Sequence, residues 1–123
     1  MTSTKTIGTF GSDHTDINAW VSWVQANIVS GGNLTDDVVG AVKAVGFSAS
    51  TAQTISGWAA AGFTTTLTTN TGDSFRDNVN KLTNPLIYNT VNGAFINCTS
   101  AGTVDCQVDK SRVSYLQIKA TGG

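Results

Sequence analysis

"TSAGTVDCQVDKSRVSYLQIKATGG", residues Thr99–Gly123, is the stretch on which the reading of the fold turns. It parses as one β-strand over Thr103–Val108, a break at Asp109-Lys110-Ser111, and a second strand over Arg112–Ala120. The second strand carries Val113-Ser114-Tyr115-Leu116-Gln117-Ile118, and no closing element follows it. A strand left in that position exposes unpaired N–H and C=O groups and an apolar cross-section. Leu116 and Ile118 are therefore expected to be covered by another chain, by a symmetry mate, or by polypeptide continuing beyond Gly123.

Working back toward the N-terminus, the same texture persists to Gly62. Phe63–Thr69 reads as a strand, Asn70–Asp73 as a turn and Ser74–Pro85 as a loop, followed by short strands at Leu86–Val91 and Ala94–Thr99. Asn92-Gly93 and Ser100-Ala101-Gly102 supply the breaks. Strands this short, with breaks this close, fit either a hairpin meander or successive sides of a parallel β-helix. The solenoid pattern wants inward apolar residues at alternate positions, and Ile96, Cys98, Val104, Cys106, Val108, Leu116 and Ile118 supply them. A small antiparallel β-sandwich with one helix is the alternative fold.

The 123 residues amount to about one domain. Only 12% are charged, roughly half the usual share, so the polar surface has to be built from Thr, Ser, Asn and Gly. Such a composition suits regular β architecture, with Thr on the pleat and Gly or Asn at the corners. The formal net charge of −1 and the scattered basic residues give no footprint for nucleic acid or an anionic membrane. No apolar run reaches the ~18 residues of a spanning helix, and the N-terminus lacks the apolar stretch of a secretory signal. Synthesis in a cytosol is expected.

The N-terminal third holds the clearest helix. "SDHTDINAWVSWVQANIVSGG" offers Ser12, Asp13 and Thr15 as N-caps, places Asp16 in the first turn and stops at Gly31-Gly32, which predicts a helix over about 13–30. At ~100° per residue, Ile17, Trp20, Val21, Val24 and Ile28 form one stripe, with Asn18, Gln25 and Ala26 facing away and Trp23 at the margin. Thr4–Phe10 reads as a short strand before it. "LTDDVVGAVKAVGF" (34–47) suits helix or strand, and its valines and Gly40 tilt it to strand; "SASTAQTISGWAAAG" (48–62) reads as an irregular loop carrying Trp58. The chain thus divides into a capping or attachment region, 1–62, and a run of first rungs, 63–123.

Four stretches carry a resemblance: "TKTIGTFGSDHTDINAWVSWV", "LTDDVVGAVKAVGF", "TTLTTNTGDSFRDNVNKLTNPLIYN" and "VDKSRVSYLQIKATG". Over nearly its whole length the chain resembles the N-terminal capping region of right-handed parallel β-helix proteins of tailed bacteriophages and related bacterial elements. The resemblance implies a mainly β fold, in which a first strand and an amphipathic helix cap the first rungs of the solenoid. It also implies a virion structural role, as a tail or head fibre, a tailspike or a decoration protein. Tailspikes of this kind cleave host polysaccharide with carboxylates on the solenoid face, well past the capping region.

Catalytic chemistry has little to work with in these residues. Glycoside hydrolysis needs two carboxylates about 5 Å apart for retention or about 6.5–9.5 Å apart for inversion. Asp36 with Asp37, Asp73 with Asp77 and Asp105 with Asp109 are the available pairs, and surface or turn roles account for each. Gly72–Asn78 is oxygen-rich but lacks the spacing and distal Glu of a calcium loop. His14 is the only histidine, placed to cap rather than to act as a base. Cys98 and Cys106 read as small core residues on adjacent strands, with a disulfide or redox chemistry as alternatives.

No catalytic, cofactor or metal residue is therefore assigned. Trp23, Trp58, Leu116 and Ile118 are the candidate interface residues, since Trp is enriched at interfaces and the last strand calls for cover. The expectation is a non-enzymatic virion protein that binds other virion proteins or copies of itself. The alternatives are the N-terminal part of a polysaccharide-degrading tailspike, or a carbohydrate-binding module in which Trp23 or Trp58 stacks on a host surface glycan.

Overall fold

Thr, Val and Ala at alternate positions set the backbone into short extended runs, and those runs pair in parallel. A computed structural model describes residues 2–73, 93–99 and 102–120. It is mainly β, with β1 (Thr2–Ile7), β2 (Val29–Ser30), β3 (Asn33–Leu34), β4 (Asp37–Val42), β5 (Phe47–Ala49) and β6 (Ala52–Ile55) in the N-terminal half. Then come β7 (Thr65–Thr69), β8 (Phe95–Cys98), β9 (Thr103–Cys106), β10 (Ser111–Val113) and β11 (Gln117–Ala120), with one helix, α1 (Ile17–Asn27), after β1.

Three sheets share the strands by turns. The first has the order β1-β4-β7-β10, the second β5-β8-β11 and the third β6-β9. Every pairing in them is parallel; the β2–β3 hairpin is the one antiparallel ladder among the described residues. The chain therefore makes circuits, β4-β5-β6, then β7-β8-β9, then β10-β11, returning to each sheet one strand further on. Hairpin connections cannot give that order, so the antiparallel sandwich is set aside.

Register stacks like on like. In the second sheet Phe47, Ile96 and Ile118 lie in one column, and Ala49, Cys98 and Ala120 in the next. In the first sheet Ile7 lies over Val42, and Gly40, Leu67 and Val113 form a column. Ile7, Val38, Val42, Phe47, Ile55, Leu67, Ile96 and Cys98 are all buried, and together with the helix they make the core.

The helix is shorter than its sequence signals suggest. Asp16, not Ser12, Asp13 or Thr15, is the N-cap, accepting from the Ala19 N–H at 2.9 Å. Asp13 and His14 instead pair beside β1, and α1 stops at Asn27, so that Val29–Ser30 and Asn33–Leu34 turn back on each other through Gly31-Gly32. The stripe is otherwise as expected: Ile17, Trp20, Val21 and Val24 are buried and Ile28 packs at its margin. Trp20 lies flat over Gly40, where an added Cβ would stand 3.0 Å from the indole ring and 2.9 Å from Ile7 Cδ1. Gly40 is the hole that admits the tryptophan.

Two stretches fold differently from their sequence pattern. Residues 48–62 are not irregular throughout: they complete β5 and hold β6, with Ala49, Gln53 and Ile55 buried between exposed or half-buried neighbours, and only 56–62, with Trp58, is a connection without strand. Arg112–Ala120 is not one strand, because Tyr115 takes φ +59 and turns a corner between β10 and β11. The strand expected at 86–91 and the loop at 74–85 lie outside the described residues. Position 62 falls in the connection between β6 and β7, and the three parallel sheets run across it.

Candidate assembly surface

The two ends of the stacked sheets are finished differently, and the difference starts from strand geometry. Along a parallel strand alternate residues turn their N–H and C=O toward one neighbour or the other, so an edge strand offers every second residue to solvent. At the end formed by β1 and β6 several of those groups are taken. Thr6 N–H donates to the Asp13 carboxylate at 2.9 Å, Thr6 C=O accepts from His14 N–H at 3.0 Å, and Gly8 N–H donates to His14 C=O at 2.9 Å. The Asn18 side chain bonds Ala52 and Thr54 of β6, and Gln25 Nε2 donates to Ser56 C=O at 2.9 Å. The Gly46 carbonyl beside β5 accepts from the Thr9 N–H and Oγ1 at 2.8 and 2.9 Å.

Asp13 is held electrostatically as well as geometrically. The Thr6 backbone N–H lowers its pKa from the ordinary carboxylate value, helped by the Thr6 hydroxyl, Lys5 and His14, against a smaller opposing cost of desolvation.

At the other end the columns stop with apolar side chains in view. Val113 is 44% exposed, Tyr115 47% and Ile118 44%, although Val113 and Ile118 stand directly below the buried Leu67 and Ile96. Cys106 stands below Ile55 in the third sheet and is likewise exposed, while Val104 is half-buried. These are core positions by register with no further layer on them among the described residues. Tyr115 adds backbone strain, since a bulky residue in the left-handed region costs about 1–2 kcal/mol. Its corner is pinned by Thr69 Oγ1, which donates to the Tyr115 carbonyl, and by Ser114, whose N–H donates to Leu67 C=O at 3.0 Å and whose hydroxyl bonds that of Thr68 at 3.1 Å.

The four candidate interface residues separate accordingly. Ile118 lies on this exposed surface, whereas Leu116 packs half-buried against the chain's own core. Trp58 is 8% exposed and its Nε1–H donates to Thr65 Oγ1 at 3.1 Å, so it is a core residue and not a surface platform. Trp23 is half-buried at the closed end, with Lys5 Nζ 4.9 Å over its ring and His14 tilted against it at 6.0 Å. Val113 and Tyr115 were missed; register below Leu67 and the absence of glycine at the corner hid them.

The carboxylates considered for chemistry serve corners and edges. Asp36 accepts from Ser3 Oγ at 3.0 Å and from the Asp37 N–H at 2.9 Å, and Asp37 from the Thr64 N–H and hydroxyl at 2.9 and 3.1 Å. Asp73 accepts from Ala44 N–H and Asn70 Nδ2, and Asp105 from Gln107 Nε2 at 2.7 Å. Asp77 and most of the 72–78 segment lie outside the described residues. Cys98 and Cys106 are not joined in a disulfide; Cys98 is buried as expected, its pKa pushed up by burial, but Cys106 is exposed.

Among the described residues no group of three or more His, Cys, Asp or Glu could hold a metal ion, and no helix is long and apolar enough to cross a membrane. Comparison with protein families, with characterised proteins and with solved structures finds no match for this chain.

Proposed function

We propose that the chain is a structural, non-enzymatic module of a phage-type virion appendage: the helix-capped start of a right-handed parallel β-helix, whose last circuit docks on another virion protein or another copy of itself. One observation carries this reading. The stack is closed by side-chain and backbone bonds at β1 and β6 but ends at β10 and β11 on Val113 and Ile118, which sit in core columns yet are each 44% exposed. Apolar side chains in that position lose stabilisation until a further layer covers them, at roughly 25 cal/mol per Å² removed from water.

The low charge supports the same role, because a β surface of Thr, Ser and Asn suits repeated close packing with little electrostatic steering. Virus particles purified from a host that makes the protein test it: its peptides should be found in the particles at a fixed copy number. Peptides confined to the particle-free fraction would contradict the reading. New reducing ends in host polysaccharide treated with the chain would replace it with the tailspike-enzyme alternative.

A further inference from the structure

The contact between α1 and β6 has the pattern of a missing strand. In a parallel ladder one residue donates its N–H to the C=O before the opposing residue and accepts on its C=O from the N–H after it. The Asn18 carboxamide does both. Nδ2 donates to the Ala52 C=O at 2.8 Å and Oδ1 accepts from the Thr54 N–H at 3.1 Å, so the amide sits opposite Gln53 as a strand residue would. Gln53 answers from beneath: its side chain is 1% exposed and its Oε1 accepts the Asn18 backbone N–H at 3.1 Å, satisfying one of the helix's unpaired first-turn donors.

The match continues along the edge. Seven helical residues after Asn18, a rise of about 10.5 Å, Gln25 Nε2 donates to the Ser56 C=O, three strand residues after Gln53 and about 10 Å further along. Gly57 makes room for it, since a Cβ there would stand 2.3 Å from Gln25 Nε2. Helix and strand thus run side by side with commensurate steps, and two side-chain amides replace a ladder.

We propose that Asn18, supported by Gln25, is an edge stop: it occupies the strand-accepting edge of β6 and so prevents a strand of a second copy from pairing there. The edge it covers, Ala52-Gln53-Thr54-Ile55, carries no charge and no proline, which is the composition most prone to edge pairing. The exposed strands β9–β11 of a second copy already pair in parallel within their own sheets and are the natural occupants. With the stop in place, capped end and open end cannot join, and copies do not run on into a filament. The stop does not depend on what the open end binds.

Asn18→Ala in the full chain tests this. The Thr54 amide should exchange with solvent at least about tenfold faster, and the variant should form larger species than the wild type at equal concentration in sedimentation. Asn18→Asp should not gain association, because a carboxylate facing the Ala52 carbonyl repels an incoming strand. An Asn18→Ala chain with wild-type Thr54 protection and wild-type mass distribution would overturn the proposal. Should that variant fail to fold, Gln25→Ala opens the same edge further along: growth in mass supports the stop, and an unchanged mass distribution overturns it.

Discussion

The closed end and the exposed end of this molecule are built from the same short parallel strands and differ in what meets their outer edges. At β1 and β6 the Thr6 N–H and C=O, the Gly8 N–H, the Ala52 C=O and the Thr54 N–H find Asp13, His14 or Asn18. By the same alternation, Ser114 turns its N–H to β7 and Gln117 its N–H to Ala94 beside β8, which leaves the Val113 and Ile118 amides directed away from their partner strands. Edge closure rests on a few polar side chains placed in register, while the core columns merely repeat. Burial makes the stack cohesive; the polar stops give it a direction.

The largest effect should come from the core of the closed end. Trp20→Ala removes a fully buried indole packed over Gly40 and should cost about 3–5 kcal/mol in denaturant unfolding. Ile118→Ala, in the last layer at the exposed end, should cost the isolated chain under about 1 kcal/mol, because its side chain is already 44% exposed. Equal costs would erase the distinction between the ends. Gly40→Ala comes next: its Cβ would press on the Trp20 ring and Ile7, an overpacking expected to cost about 1–3 kcal/mol in the same assay.

Tyr115 separates stability from docking. Tyr115→Gly relieves a left-handed backbone and should stabilise the isolated chain by up to about 1 kcal/mol, while weakening incorporation into particles. Stabilisation with undiminished incorporation would remove Tyr115 from the proposed docking surface. Ile118→Asp should leave the melting temperature close to wild type and abolish incorporation, whereas Leu116→Asp, aimed at a side chain packed on the core, should lower both.

The smallest effect concerns acid. Asp13 has its pKa lowered in the folded chain, so the stability it lends is present above the ordinary carboxylate value of 3.8 and is lost as pH falls through the lowered folded value. Melting temperature measured against pH should fall less steeply below about pH 4 for Asp13→Asn than for wild type. A profile unchanged by the substitution would show that the β1 edge does not rely on that carboxylate.

How much of this could be read in the sequence depends on whether a feature repeats. The apolar stripe of α1 was legible because Ile17, Trp20, Val21 and Val24 recur at helical spacing, and β7 because a Thr run around Leu67 has one reading. β5 and β6 were not, since Ala49 and Gln53 are too small or too polar to mark a buried face; Gln53 is held inward with its Oε1 on the Asn18 backbone N–H. The corner at Tyr115 was hidden because no glycine announces its positive φ, so β10 and β11 read as one strand. Asn18 and Gln25 sit on the face of α1 that periodicity assigns to solvent, and only the pairing of β6 reveals that this face closes an edge.

Residue-resolved amide exchange of the wild-type chain, diluted until it sediments as a monomer, tests the contrast between the ends most directly. Thr6, Gly8 and Thr54 should exchange slowly, held by Asp13, His14 and Asn18, while Val113 and Ile118 exchange rapidly. Equal protection of the two sets, or slow exchange confined to Val113 and Ile118, would contradict it.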